Sequence, residues 1–141
     1  MSGIFGQISK REINTKKIKV LSNYARRRGR DTGGLIYFSN NKYTISRSSS
    51  DIKKIINDKK LRKTNILFGH SKMLTDGPTD IQPIYRENMV LIHDGIVVND
   101  NKIWDQIDIN REKIIDFRNC TKVFSRKYRF ESIKFLYFLI M

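Results

Sequence analysis

Apolar residues recur along this chain in short runs separated by glycine, asparagine and charged residues, and the period of each run predicts an element. Residues 3–9 read as a first strand whose glycines let other backbone come close. Asn14 or Thr15 can cap a helix from about Lys16 to Arg28, with Ile18, Leu21, Tyr24 and Ala25 at helical spacing and Gly29 at its end. The pair Gly33-Gly34 is expected to turn the chain into a second strand, Leu35–Ser39. Asn40-Asn41 then reads as a hairpin turn into Tyr43–Ser46. A short helix from Asp51 to about Asn57 carries Ile52, Ile55 and Ile56 on one side.

Asn65–Gly69 is a compact apolar run, a buried strand leading into Gly69-His70-Ser71-Lys72. Beyond a Gly77-Pro78 turn and an extended Gln82-Pro83 pair, Met89–Ile92 and Ile96–Val98 predict two strands interrupted at Asp94-Gly95. Residues 101–107 are expected to be helical with Trp104 and Ile107 inward, and Thr121 to about Tyr137 to form a final basic helix. Strands in two groups with helices outside predict a layered α+β domain.

Composition narrows the partners. The 141 residues suffice for one domain with a single core, 39% are hydrophobic and 30% charged. Lys and Arg number 28 against 14 Asp and Glu, a net charge of +14, with a pI near 10.1. That charge would suit a polyanion. A general abundance of Lys, Ile and Asn explains it equally, and no aromatic platform accompanies Arg26-Arg27-Arg28. A nucleic-acid role is therefore the distant alternative. The single Cys120 excludes an internal disulfide, and no Cys/His cluster has zinc spacing; neither a metal nor a cofactor is expected. No signal peptide opens the chain, residues 135–141 are too short an apolar run to span a bilayer, and a reducing cytoplasm is the expected compartment.

The candidate chemistry begins at Met1-Ser2-Gly3-Ile4-Phe5-Gly6. If Met1 is removed, Ser2 carries an α-amine beside its own hydroxyl, so nucleophile and base share one residue. Three later stretches keep it company: Arg28-Gly29-Arg30-Asp31-Thr32-Gly33-Gly34, Gly69-His70-Ser71-Lys72-Met73-Leu74-Thr75-Asp76-Gly77, and Ile92-His93-Asp94-Gly95-Ile96-Val97-Val98-Asn99. In order and rough spacing these four segments resemble the signatures of class II glutamine amidotransferases, over about residues 1–125. The family pattern is Cys-Gly-Ile-x-Gly, Arg-Gly-Pro-Asp-x-x-Gly, Gly-His-x-Arg-x-x-Thr-x-Gly and His-Asn-Gly-Ile-x-x-Asn. The resemblance implies the four-layer αββα sandwich of N-terminal-nucleophile hydrolases, incomplete at its C-terminus, with residues 126–141 as a divergent basic and apolar tail. From about Ser125 the likeness stops, which suggests a truncated or decaying copy.

The resemblance also implies roles. Ser2 stands where the family has its nucleophilic Cys, and a hydroxyl needs much stronger base assistance than a thiol. Gly95 keeps the backbone N–H of the oxyanion site, but Asp94 replaces an Asn whose amide would donate there. One such donor is worth about 10²–10³ in rate. Lys72 replaces the Arg that binds the glutamine α-carboxylate, keeping charge without the two-donor fork. Thr75 and Gly77 match the rest of that motif. Asn119-Cys120-Thr121-Lys122-Val123 resembles Ser-Asp-Thr-Glu-Val, with Cys120 in place of the Asp that receives the α-amino group. Arg28, Asp31 and Gly34 are loop-fixing residues on this reading, with Arg30 in place of Pro.

The function implied is hydrolysis of glutamine to glutamate and ammonia, passed to an acceptor on a separate synthase subunit, as in amino-sugar or surface-polysaccharide synthesis. The altered site letters imply weak or absent turnover. The alternative is a pseudoenzyme or binding subunit that keeps the fold.

Overall fold

In the computed structural model, residues 2–57, 59–74, 81–86, 89–94 and 137–140 are described. They form an α+β structure that divides into two units, Met1–Pro83 and Ile84–Met141.

The first unit contains a four-stranded antiparallel sheet of β1 (Ser2–Ile8), β2 (Thr32–Ser39), β3 (Lys42–Ser48) and β4 (Ile66–Lys72), in the order β1-β4-β2-β3. Strand β4 thus lies between the chain's opening and β2. One face packs Phe5, Leu35, Tyr37 and Leu67 against Ile13 and against Ile18 and Ala25 of α1 (Thr15–Arg26). Ile52, Ile56 of α2 (Lys53–Ile56) and Leu61 of a 3-10 helix (Lys59–Lys63) complete that core. Period-2 alternation places these strand residues on one face.

Helix α1 starts where Asn14 caps it, its side chain accepting from the Lys16 N–H at 2.9 Å. The buried positions are Ile18, Ser22 and Ala25, whereas Leu21 and Tyr24, at the same helical spacing, are 37% and 58% exposed. The helix crosses β1 so closely that a Cβ on Gly3 would overlap the Ala25 carbonyl, so small residues hold the contact and larger ones turn outward. Tyr24 carries the Arg27 guanidinium 4.8 Å from its ring centre.

The hairpin at Asn40-Asn41 forms as expected, both residues having positive φ (53° and 56°), as a two-residue turn between twisted strands requires. The glycine pair is corrected: Gly33 and Gly34 lie inside β2 rather than turning into it. A Cβ on Gly33 would strike Ile52, and one on Gly34 would strike the Gln82 carbonyl from the opposite face. The glycines answer close neighbours, which a single sequence conceals. The Gln82–Pro83 peptide is cis, and the Pro83 carbonyl accepts a hydrogen bond from Arg47 Nε at 2.8 Å.

Arg26 and Asp51 tie α1 to the start of α2. Arg26 Nε donates to Asp51 Oδ1 at 2.7 Å, Nη2 donates to Oδ2, and Asp51 Oδ1 also accepts from the Lys53 N–H at 2.9 Å. The Arg26 hydrogen bond holds the Asp51 carboxyl below its ordinary value of 3.8. A depressed folded pKa contributes stability that is complete above the unfolded value and is lost as pH falls through the folded one. Asp51→Ala is expected to cost about 2 kcal/mol at pH 7, the scale of a charged hydrogen-bonded pair. In urea titrations of both proteins, the gap should shrink as the pH is lowered below that ordinary value. A pH-independent gap would refute the ionic origin.

The second unit contains β5 (Ile84–Arg86), β6 (Met89–Asp94) and β7 (Tyr137–Ile140), ordered β5-β6-β7 with β6 and β7 parallel. Strand β6 ends at Asp94, two residues beyond the expected Ile92, with Gly95 outside the described residues, and a strand spans 137–140 where the basic helix was expected to end. The strand at 96–98 and the helices at 101–107 and 121–137 otherwise lie outside the described residues. No helix among the described residues is long and apolar enough to cross a membrane.

Candidate active site

Three of the four signature segments meet at one end of the first sheet. The register pairs Ser2 on β1 with Lys72 on β4, and Lys72 in turn with Thr32 on β2. Direct cross-strand partners share a face, so Ser2, Lys72 and Thr32 stand in one row. Ser2 and Thr32 are buried, Lys72 is half-buried, and buried His70 lies two residues back on the same face.

The Arg28–Asp31 loop straps this end. Arg28 Nε donates to the Ser2 carbonyl at 2.6 Å. The Asp31 N–H donates to the Lys72 carbonyl at 3.0 Å, and the Asp31 carboxylate accepts from the Leu74 N–H at 2.8 Å. Ser71, fully buried on the opposite face, donates its hydroxyl to the Gly29 carbonyl at 2.7 Å. Gly29 lies so close to Met73 that a Cβ would overlap the Met73 nitrogen. The loop thus fixes both the nucleophile candidate's backbone and the end of β4, a more specific part than general loop fixing.

Each arginine of the Arg26-Arg27-Arg28 run has a partner within the protein, although Arg27 and Arg28 remain exposed. Arg26 pairs with Asp51, Arg27 lies over Tyr24, and Arg28 holds the Ser2 carbonyl. Thr32 and Ser71 were not singled out from the sequence. Thr32 follows an Asp and precedes two glycines, which reads as turn; only the register aligns it with Lys72.

In the second unit, His93 is buried and Asp94 half-buried at the end of β6, where Asp94 pairs with Ile140 of β7. Gly95, Thr75, Gly77 and Asn99 lie outside the described residues, as does Cys120 with its neighbours. No group of three or more His, Cys, Asp or Glu that could hold a metal ion occurs among the described residues.

No protein-family model matches the chain, and no curated protein does. Among solved structures it is similar to glutamine phosphoribosylpyrophosphate amidotransferase from B. subtilis, complexed with ADP and GMP, at a TM-score of 0.60 and 20% identity. The match covers 94% of this chain and 30% of that one. At that identity the likeness is one of fold: this chain has a fold similar to that of part of an amidotransferase.

Proposed function

We propose that the chain is a class II glutamine amidotransferase-like domain with a four-layer αββα arrangement, built to cleave the side-chain amide of glutamine. The observation that carries this reading is the Ser2–Lys72 register at the end of β1 and β4, in a fold similar to part of an amidotransferase. It sets the residue after Met1 beside a cation, as a nucleophile and an α-carboxylate clamp require. The α-amine of Ser2 serves as base once Met1 is removed. By the resemblance, Gly95 is the proposed oxyanion donor, and Thr75 and Cys120 are the proposed substrate-binding positions. Ammonia passes to an acceptor held by a separate synthase subunit, with amino-sugar or surface-polysaccharide chemistry as the pathway and the cytoplasm as the compartment.

A second reading rests on Asp94. A carboxylate at the oxyanion position has no N–H to donate and repels the charge that develops there, so the domain acts as a binding subunit with little turnover. Glutamate release from glutamine by the purified chain decides between the two, run beside Ser2→Ala and Ser2→Cys with N-termini checked by intact mass. Release that Ser2→Ala abolishes is the expected result for an enzyme. Silence in both the native chain and Ser2→Cys would leave the binding role.

A further inference from the structure

We propose that the outer face of α1 docks on an anionic lipid surface, seating Val20, Leu21 and Tyr24 at the headgroup boundary between flanking cations. The inference does not rest on the reading above. Helix α1 packs on the face of the sheet that carries Phe5 and Leu67, and alternation puts the Ser2 side chain on the other face.

The helix buries Ile18, Ser22 and Ala25 and turns the opposite arc to water. On that arc Val20 and Tyr24 are 53% and 58% exposed, and Leu21 is 37% exposed. Residues four apart are neighbours on a helix, so the three side chains form one patch. Single exposed apolar residues need no explanation, but a cluster on one face does. Lys16 and Lys17 lie one turn before the patch, Lys19 stands on its flank and Arg27 lies one turn from Tyr24, all of them exposed.

Nothing in the helix offsets these cations. Residues 15–26 contain no Asp or Glu, and Asp51, the carboxylate that meets α1, is taken up by Arg26. The Arg27 guanidinium rests 4.8 Å from the Tyr24 ring centre, so ring and cation are presented together. An apolar centre between uncompensated cations complements anionic headgroups above acyl chains. Clusters of about four to eight Lys and Arg on an amphipathic helix are what such lipids attract. Lysine stems can lie along the patch with their ammonium groups at phosphate depth, and tyrosine suits the headgroup level.

Area favours a lipid surface over a protein. The 12-residue helix is about 18 Å long and 10 Å wide, roughly 200 Å² of outer face, whereas a stable protein interface buries about 800 Å² on each partner. A bilayer asks only for a shallow apolar contact and summed charge attraction. The net charge of +14 draws the chain to an anionic surface, and the α1 face decides which side meets it. The helix then lies on the membrane; none of the described helices is long and apolar enough to cross one.

The test is co-sedimentation of the purified chain with vesicles of phosphatidylcholine alone, or with phosphatidylserine added, at physiological ionic strength. Binding is expected to the anionic vesicles only. Lys16→Gln, Lys17→Gln and Lys19→Gln together are expected to lower the partition coefficient about 10²-fold, each cation being worth about fivefold near such a surface. Glutamine is a good helix former, so α1 should persist, and denaturation midpoints check the fold of every variant. Lys42→Gln, Lys54→Gln and Lys63→Gln together remove the same charge from exposed positions outside α1 and should change binding far less. Val20→Ser with Leu21→Ser keeps the charge and is expected to weaken binding about tenfold. Equal losses from the two lysine sets would mark diffuse attraction of a basic chain and overturn the seating of α1. Indifference to the serine pair would overturn it as well. No binding of the folded chain to anionic vesicles would exclude the lipid surface and leave an acidic protein as the occupant. Glutamate release is measured separately, so failure of either proposal leaves the other standing.

Discussion

Gly3→Ala is expected to destabilise the chain by about 3 kcal/mol, the upper end of the range for overpacking a core. Alanine is intrinsically the better strand residue by about 0.5–1 kcal/mol, so the sign rests on the clash. The added methyl would stand 2.5 Å from the Ala25 Cα and 2.8 Å from its carbonyl carbon, and would overlap the oxygen. All three are main-chain atoms of α1, so relief requires the whole helix to lift from β1, carrying Ile18 and Ala25 out of the core. Gly69→Ala is the control. Its methyl would meet the ends of the Phe5 and Leu35 side chains, including Leu35 Cδ2 at 2.7 Å, and side chains can rotate. That change should cost nearer 1 kcal/mol. Guanidinium midpoints of the three proteins test the order. Equal stability of Gly3→Ala and the parent would mean that α1 does not ride on β1 at this distance. Total stability of a domain is about 5–15 kcal/mol, so a loss of this size is readily measured.

If Asp94 holds the proposed oxyanion position, Asp94→Asn in a Ser2→Cys background is expected to raise glutamate release by about 10²–10³ over Ser2→Cys alone. The thiol removes the need for strong base assistance, leaving the oxyanion position as the limit. The amide supplies an N–H where the carboxylate supplies negative charge, so donation is restored and repulsion removed in one substitution. The gain should appear in kcat, because the interaction is made with the developing charge and not with the bound amide. A rate unchanged by Asp94→Asn would take Asp94 away from the reacting carbonyl.

Local signals were easily read and tertiary ones were not. Asn40-Asn41 announced its own hairpin, since adjacent asparagines tolerate the two positive φ values such a turn needs. Asn14 announced the start of α1 for a similarly local reason, its side chain reaching the N–H groups two and three residues on. By contrast, Gly33-Gly34 looked like a turn and proved to be strand. The signal for glycine is the same whether it is chosen for its dihedral freedom or for the backbone opposite it. Leu21 and Tyr24 fitted the helical period yet face outward, because the period leaves open which arc meets the sheet.

The site divides along the same line. Order and spacing of the short segments around Ser2, Arg28, Lys72 and Asp94 were legible from the chain alone, as were the letters that depart from the pattern. Placing Lys72 opposite Ser2, with Thr32 beyond it and Arg28 on the Ser2 carbonyl, required the antiparallel register of β4 between β1 and β2. Those partners lie 70, 40 and 26 residues apart in sequence. Pairing at such separations is decided by burial of a shared core and by one-residue register. A slip of a single residue would turn every side chain of β4 to the other face. Local sequence therefore determined the elements and the residue types available for chemistry, and long-range strand pairing alone decided which of those residues face one another.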